Sequence, residues 1–303
     1  MKNNLVIVSG RTNISLSKKI SLKLNAELVI VDTKYFPNGE KRIKINTRLK
    51  GKKVIIVQSF RDSIDEKIVE TLLICDAVQL LEPLEISLII PRLPYSLQNK
   101  VFKNGEPLSV RVIAGVLSSL PLKRLILLDI HDQQSLDYFR CNTTNINSAD
   151  LYYDYLKNKV SKGNWQLVIP DTGSVKRSMK LIRMLNLDMF KLTKFRDRLS
   201  GAVTIKKTTG EIKSHKLIVI DDGIITGRTC KKTADLISKI NKQAEIVYLA
   251  THGILVDGAQ EVIDKCNNIS QVVITNSIPF KVVSKKIKVL DVSPVVAKIV
   301  LSD

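Results

Sequence analysis

Asp221 and Asp222 close a buried apolar run, and a short Gly/Thr segment follows them at once: residues 217–229 read LIVIDDGIITGRT. That order suits a strand, a loop and the start of a helix. Backbone N–H groups at a helix start cradle a phosphate, and the hydroxyls of Thr226 and Thr229 beside the permissive backbone of Gly227 add to the cradle. Arg228 puts a cation in the same turn. The paired acids stand one loop away, where carboxylates hold the vicinal hydroxyls of a sugar. A diol at one end and a phosphate at the other describe ribose 5-phosphate. The duller reading is two acids that cap a helix or line the surface. Their place at a strand end, directly before a Gly/Thr loop, argues against it.

Other strand ends carry polar groups. Residues 124–131, RLILLDIH, place Asp129 and then His131 at the end of an apolar run, which suits a metal ligand or a phosphate contact, although a lone histidine is more often structural. Asp171 sits in the turn Pro170-Asp171-Thr172-Gly173, where a carboxylate can bind a hydrated Mg²⁺. The segment KFRDR at 194–198, followed by LSG, reads as a loop whose cations suit a triphosphate or its transition state, with a solvated charge run as the alternative. Cys230 follows Thr229 at a helix start, a place that lowers a thiol pKa, but no base pairs with it and it reads as packing.

These residues need a scaffold of buried strands. Short, β-branched runs at 5–10, 27–32, 53–59, 86–91 and 124–131 are apolar on both faces, and amphipathic stretches such as 64–81 and 108–120 lie between them. A similar series restarts after a helix near 149–160, with runs at 165–171, 189–195, 216–222, 245–253 and 270–277 and helices at 173–185 and 229–241. The pattern predicts an α/β protein of two similar domains, 1–148 and 149–303, each a mostly parallel sheet flanked by helices. In such sheets ligands bind beyond the C-terminal strand ends, where the polar residues above fall.

Bulk properties narrow the function. The chain has 303 residues, 44% of them hydrophobic and 25% charged, enough for two real cores. No apolar run is long enough for a bilayer, and MKNNLVIVSG lacks the features of a signal peptide, so a cytoplasmic protein without membrane partner is expected. Cys75, Cys141, Cys230 and Cys266 form no CxxC pair, which argues against a zinc knuckle or disulfide framework. Net charge is +19, but the 48 Lys and Arg are spread along the chain and aromatics are only 5%, so no nucleic-acid partner is expected. Solvated lysines account for most of the charge, with some steering of an anionic substrate.

The segment 217–229 resembles the phosphoribosyl-pyrophosphate motif, and the chain resembles the ribose-phosphate pyrophosphokinases over nearly its full length. Tyr35-Phe36-Pro37-Asn38-Gly39-Glu40 is similar to the family loop that contacts the ATP base from a neighbouring subunit. Val57-Gln58-Ser59, Ile90-Pro91, Tyr95, Gln98, Gly105-Glu106-Pro107, Leu128-Asp129-Ile130-His131, Ala250-Thr251-His252-Gly253 and Thr275-Asn276-Ser277 match further segments in family order. The resemblance implies two phosphoribosyltransferase-like domains and an ATP site with Phe36, Asn38, Glu40, Gln98 and His131. It implies ribose 5-phosphate on Asp221, Asp222, Thr226, Gly227, Arg228 and Thr229, and Mg²⁺ on His131 and Asp171. Lys194 and Arg196 would be catalytic, stabilising the transferring group. The activity implied is transfer of the β,γ-diphosphoryl group of ATP to the 1-hydroxyl of ribose 5-phosphate, giving phosphoribosyl pyrophosphate and AMP for nucleotide biosynthesis. A base loop lent by a neighbour implies a homo-oligomer, a dimer or higher.

The chain also departs from the family pattern. Where the family reads Arg-Gln-Asp, it has Leu97-Gln98-Asn99 and so lacks the arginine that touches ATP phosphates. Ile224-Ile225 replaces an acid after the paired aspartates, Ser174 breaks a double glycine, and Arg228 replaces a small residue, where it adds a phosphate contact or obstructs the pocket. Two rivals follow: a non-catalytic pyrophosphokinase-like regulatory subunit, and a phosphoribosyltransferase, which needs no ATP.

Overall fold

The computed structural model describes residues 4–101, 103–170, 174–196 and 203–302. The chain divides into two compact units. One holds Met1–Ile146, Ser277–Pro279 and Val292–Asp303, and the other Asn147–Asn276 and Phe280–Asp291. The chain changes unit after Ile146, and two later segments, Ser277–Pro279 and Val292–Asp303, return to the first unit.

In the first unit the chain runs through β1 (Leu5–Ser9), α1 (Ile14–Leu24), β2 (Glu27–Ile30), β3 (Asp32–Tyr35), β4 (Lys41–Lys44), β5 (Lys53–Val57), α2 (Ile64–Gln79), β6 (Glu85–Ile90), α3 (Ser109–Ser118), β7 (Arg124–Leu128), a 3₁₀ turn (Gln133–Tyr138) and β8 (Thr143–Ile146). Six strands form one sheet in the order β2-β1-β5-β6-β7-β8, every pair parallel. Strands β3 and β4 stand apart as an antiparallel hairpin. The aliphatic runs dictate the sheet: Val54, Ile56, Leu88, Ile90, Leu125 and Leu127 share one core, with Ile74, Cys75 and Val78 of α2 packed against them. Asp65 and Glu66 in the first turn of α2 favour its N-terminus.

The second unit contains α4 (Ala149–Val160), β9 (Trp165–Ile169), α5 (Ser174–Leu185), β10 (Asp188–Arg196), β11 (Val203–Thr209), β12 (Lys216–Ile224), α6 (Arg228–Ile240), β13 (Glu245–Gly253), α7 (Ala259–Asp264), β14 (Ile269–Thr275) and β15 (Ile287–Leu290). Its sheet order is β11-β10-β9-β12-β13-β14-β15, parallel except for the β10–β11 pair. Strand alternation separates two cores. Leu217, Val219, Ile246 and Tyr248 face Cys230, Ala234 and Ile237 of α6. Ile218, Ile220, Val247 and Leu249 face Tyr152 and Leu156 of α4 and Leu181 of α5. The terminal helix, α8 (Ser293–Leu301), packs on α1 of the first unit. Among the described residues no helix is long and apolar enough to cross a membrane.

Candidate functional site

The structure moves the paired aspartates. The sequence suggested a strand ending at Asp222 and a loop from Gly223, but β12 continues to Ile224, pairing Gly223 with His252 and Ile224 with Gly253. Gly223 permits this approach, because a Cβ there would lie 3.1 Å from the His252 carbonyl oxygen. Only residues 225–227 remain between strand and helix. Asp221 and Asp222 therefore stand inside the strand, near its end, and follow its alternation.

Asp221 continues the face of Leu217 and Val219 and is only 9% exposed. Its Oδ2 accepts a hydrogen bond from Tyr248 Oη at 2.6 Å, and its Oδ1 accepts one from the Asp222 backbone N–H at 2.9 Å. Val219 is in register with Tyr248, so the phenol sits two residues behind Asp221 on the same face and reaches forward to it. Asp222 takes the opposite alternation and is half-buried. The two acids thus have different surroundings, one embedded and one at the rim. Tyr248 had no signal in the sequence beyond its position in an apolar strand.

The turn behind them is built for backbone exposure. Gly227 caps α6 with φ 72°, a left-handed conformation that other residues adopt at a cost, and a Cβ there would lie 2.9 Å from the Ala259 carbonyl oxygen. Thr226 is exposed and its Oγ1 accepts from the Arg228 N–H at 3.4 Å; Arg228 and Thr229 are exposed in the first helical turn. That turn contains no acidic residue. The first N–H groups of a helix lack intrahelical acceptors, so this end presents donors and a cation to an anion. Cys230 is buried in the core, as expected for packing.

In the first unit His131 is placed by a constrained turn. Asp129 is buried and holds φ 41°, a left-handed value that costs a non-glycine residue about 1–3 kcal/mol and persists where neighbours enforce it. Here the Asp129 N–H donates to the Ile146 carbonyl at 2.9 Å, and the Ile130 N–H donates to Asn145 Oδ1 at 3.0 Å. His131 follows half-buried at the C-terminal edge of the parallel sheet. Gln98 is tied to the start of α3: Ser109 Oγ donates to its Oε1, and the Val110 N–H donates to its backbone carbonyl at 3.4 Å. Leu97, in place of the family arginine, is 48% exposed.

Phe36, Asn38 and Glu40 form the exposed tip of the β3–β4 hairpin. The tip is closed by the Phe36 N–H to the Glu40 carbonyl at 2.8 Å, the Gly39 N–H to the Phe36 carbonyl at 2.9 Å and the Glu40 N–H to Asn38 Oδ1 at 3.2 Å. The tip end of the hairpin, where Lys41 pairs with Tyr35, is tied down by a buried ionic group. Lys41 Nζ and Lys67 Nζ each lie 2.9 Å from Glu70 Oε2, and Gln58 Nε2 donates to Glu70 Oε1 at 3.0 Å. Burial alone would raise the Glu70 carboxyl, but hydrogen bonds from Lys67, Lys41 and Gln58 hold it below its ordinary value. Burial likewise lowers Lys41, and its bond and charge pairing with Glu70 reverse that to a net rise. The sequence signal for this group was an acid, Glu70, four residues before Ile74 on the apolar face of α2.

Asp171 lies outside the described residues. Lys194 and Arg196 belong to β10, with backbone partners Ile205 and Val203 on β11, so the segment read as the start of a loop continues a strand up to Arg196. Among the described residues no group of three or more His, Cys, Asp or Glu forms a metal cage. Mg²⁺ in phosphate chemistry takes one or two carboxylates and completes its shell with water and phosphate oxygens.

Residues 5–120 match the family described as the N-terminal domain of ribose phosphate pyrophosphokinase, and residues 196–301 match the phosphoribosyl synthetase-associated domain. A ribose-phosphate pyrophosphokinase of Pyrococcus abyssi is 34% identical over 292 residues, covering 96% of this chain and 97% of its own. One from Fusobacterium nucleatum is 31% identical over 298 residues, covering 97% and 93%. The crystal structure of phosphoribosylpyrophosphate synthetase from Mycobacterium smegmatis shares the fold, with a TM-score of 0.89, 24% identity and coverage of 99% and 98%.

Proposed function

The chain belongs to the ribose-phosphate pyrophosphokinase family, and we propose that its two units divide the substrates of that reaction between them. It is a transferase that makes phosphoribosyl pyrophosphate. ATP is assigned to the first unit, with its base at Phe36, Asn38 and Glu40 of the hairpin tip and its phosphates toward Gln98 and His131. Ribose 5-phosphate is assigned to the second unit. Its phosphate takes the N–H groups and hydroxyls of residues 226–229 and the Arg228 guanidinium. Its diol takes Asp222, with Asp221 braced behind by Tyr248. The single observation that carries this reading is the acid pair in β12 running directly into a glycine-capped, cation-bearing helix start.

In the reaction the ribose 1-hydroxyl oxygen bonds to the β-phosphorus of ATP. The bond from that phosphorus to the α,β-bridging oxygen breaks, AMP leaves with that oxygen, and the hydroxyl proton is lost. The residues contribute position and charge, the usual division of labour in phosphoryl transfer. Lys194 and Arg196 are assigned to the transferring group, where fixed cations offset developing charge. A Mg²⁺ held by His131 and Asp171 would neutralise phosphate charge when bound. A hairpin tip that serves a neighbour's base would make the active form a homo-oligomer.

The test is to incubate purified protein with ATP, Mg²⁺ and ribose 5-phosphate and to follow AMP and phosphoribosyl pyrophosphate together. Equal formation of both is expected; no AMP, with or without added phosphate ions, sinks the reading and favours the regulatory subunit. Asp222→Ala should abolish ribose 5-phosphate binding by calorimetry while the fold persists, and unchanged binding refutes the diol assignment.

A further inference from the structure

We infer that Asn99 and Asp132 form a positioning pair that fixes the His131 turn against the segment carrying Gln98. Asn99 Nδ2 donates to Asp132 Oδ2 at 2.7 Å, a short charge-assisted bond between two half-buried side chains that are 33 residues apart in sequence. The other oxygen of the same carboxylate, Oδ1, accepts the Gln134 N–H at 3.1 Å and so caps the 3₁₀ turn that follows His131. One carboxylate thus holds the backbone just after His131 and, through Asn99, the segment on the far side.

That segment is held near its two ends as well. Tyr95 sits at φ 59° with its hydroxyl bonded to Asp65 of α2, and Gln98 is bonded to Ser109 and Val110 at the start of α3. Those bonds tie it to helices, whereas the bond from Asn99 ties it to the His131 turn. The pair also accounts for one departure noted in the sequence. An aspartate at position 99, as the family resemblance leads one to expect, would set two carboxylates 2.7 Å apart where this chain has an amide donor facing an acid. Like charges at that distance repel strongly in a half-buried setting. An asparagine at 99 is therefore the chemical complement of Asp132.

This inference rests on the proposed placement of ATP phosphates at Gln98 and His131. The pair is assigned no substrate contact of its own. It acts by keeping Gln98 and His131 at a fixed separation, so its loss should appear in nucleotide affinity more than in ribose 5-phosphate affinity.

The test is a polarity swap followed by steady-state kinetics with both substrates. Asn99→Asp places acid against acid, and should raise the KM for ATP about tenfold or more while the KM for ribose 5-phosphate stays within about twofold. The double variant N99D/D132N restores one amide and one acid, and the amide oxygen introduced at position 132 would still accept the Gln134 N–H; it should recover most of the loss. An unchanged KM for ATP in Asn99→Asp overturns the pair. A loss that the double variant does not recover also overturns it, because a general disturbance would not depend on polarity. If Asn99→Asp fails to fold, Asn99→Ala takes its place and must show the same selective rise in KM. His131→Ala separates the two claims. If it leaves the KM for ATP unchanged, the ATP placement falls; if it raises that KM while Asn99→Asp does not, only the pair falls.

Discussion

Tyr248 does for Asp221 what a loop cannot do: it fixes a buried carboxylate from inside the sheet. The phenol is fully buried and lies 2.6 Å from Oδ2. A hydrogen bond to a charged group contributes about 1.5–3 kcal/mol, so Tyr248→Phe should lower stability by about that much. It should also raise the KM for ribose 5-phosphate, since the Asp221 carboxylate that Tyr248 holds accepts the Asp222 N–H in turn; thermal unfolding and kinetics together check this. Gly227 is constrained twice, by φ 72° and by the 2.9 Å approach of the Ala259 carbonyl to where a Cβ would sit. Gly227→Ala should cost about 1–3 kcal/mol and weaken ribose 5-phosphate binding measured by calorimetry, because either the turn or α7 must move. At this scale the sequence disclosed residue types well and their orientation poorly. Asp221 and Asp222 were legible as paired acids near a strand end, just before a Gly/Thr turn. Their separation onto two faces of β12 was not, because it depends on how far pairing with β13 continues, and the small Gly223 that allows it looks like a loop residue.

Elements were legible where apolar periodicity was strong. The runs at 53–59, 86–91 and 216–222 all became parallel strands, and α4 begins and ends where the pattern places it. Helix α1 gives a weak sequence signal because ISLSKKISLKL buries Ser17 and Ser21 beside Leu16, Ile20 and Leu24, which hides the apolar stripe. Its ends are set by side chain and backbone instead: Asn13 Oδ1 accepts the Leu16 N–H at 3.2 Å, and Asn25 closes it at φ 48°. The β3–β4 hairpin carries no apolar alternation for a similar reason, since its strands are mostly charged. Its rigidity comes from the Lys41–Glu70 pair beneath it, with side chains 6% and 1% exposed. Lys41→Met should cost about 1–3 kcal/mol, less than the loss of an isolated buried pair because Lys67 and Gln58 still serve Glu70. It should also raise the KM for ATP if the hairpin tip holds the base. The pH dependence has a definite sign. Glu70 is held below 4.5, so its contribution is full above 4.5 and is lost as pH falls through the lower folded value. Lys41 is raised above 10.5, so its contribution is full below 10.5 and is lost as pH rises through the folded value. The stability gap between wild type and Lys41→Met should therefore be widest between these limits and narrow at both ends, as chemical denaturation at several pH values would show.

At the scale of the whole chain, the order of residues and the order of folding units differ. Residues 277–279 and 292–303 return to the first unit after the chain has entered the second. No local signal reveals such a return. SPVVAKIVL has the pattern of any short amphipathic helix, and its partner α1 lies at the other end of the chain. The physical tie is specific. Val292, Val296 and Ala297 are buried, and the Ile299 carbonyl accepts a bond from Arg124 Nη1 at 3.4 Å at the base of β7. Removing residues 292–303 would return that apolar surface to water, at about 1.5–3 kcal/mol for each large aliphatic side chain, or about 3–6 kcal/mol for the two valines. The loss should fall on the first unit alone. Amide exchange of the truncated protein should accelerate in α1, β1 and β7 and leave β12 and β13 protected as before. Uniform acceleration through both sheets would mean that the two units unfold as one body and that α8 stabilises the whole. If the loss is confined as expected, the truncated protein should still bind ribose 5-phosphate on its second unit while losing affinity for ATP, so one deletion would separate the two substrate sites assigned above.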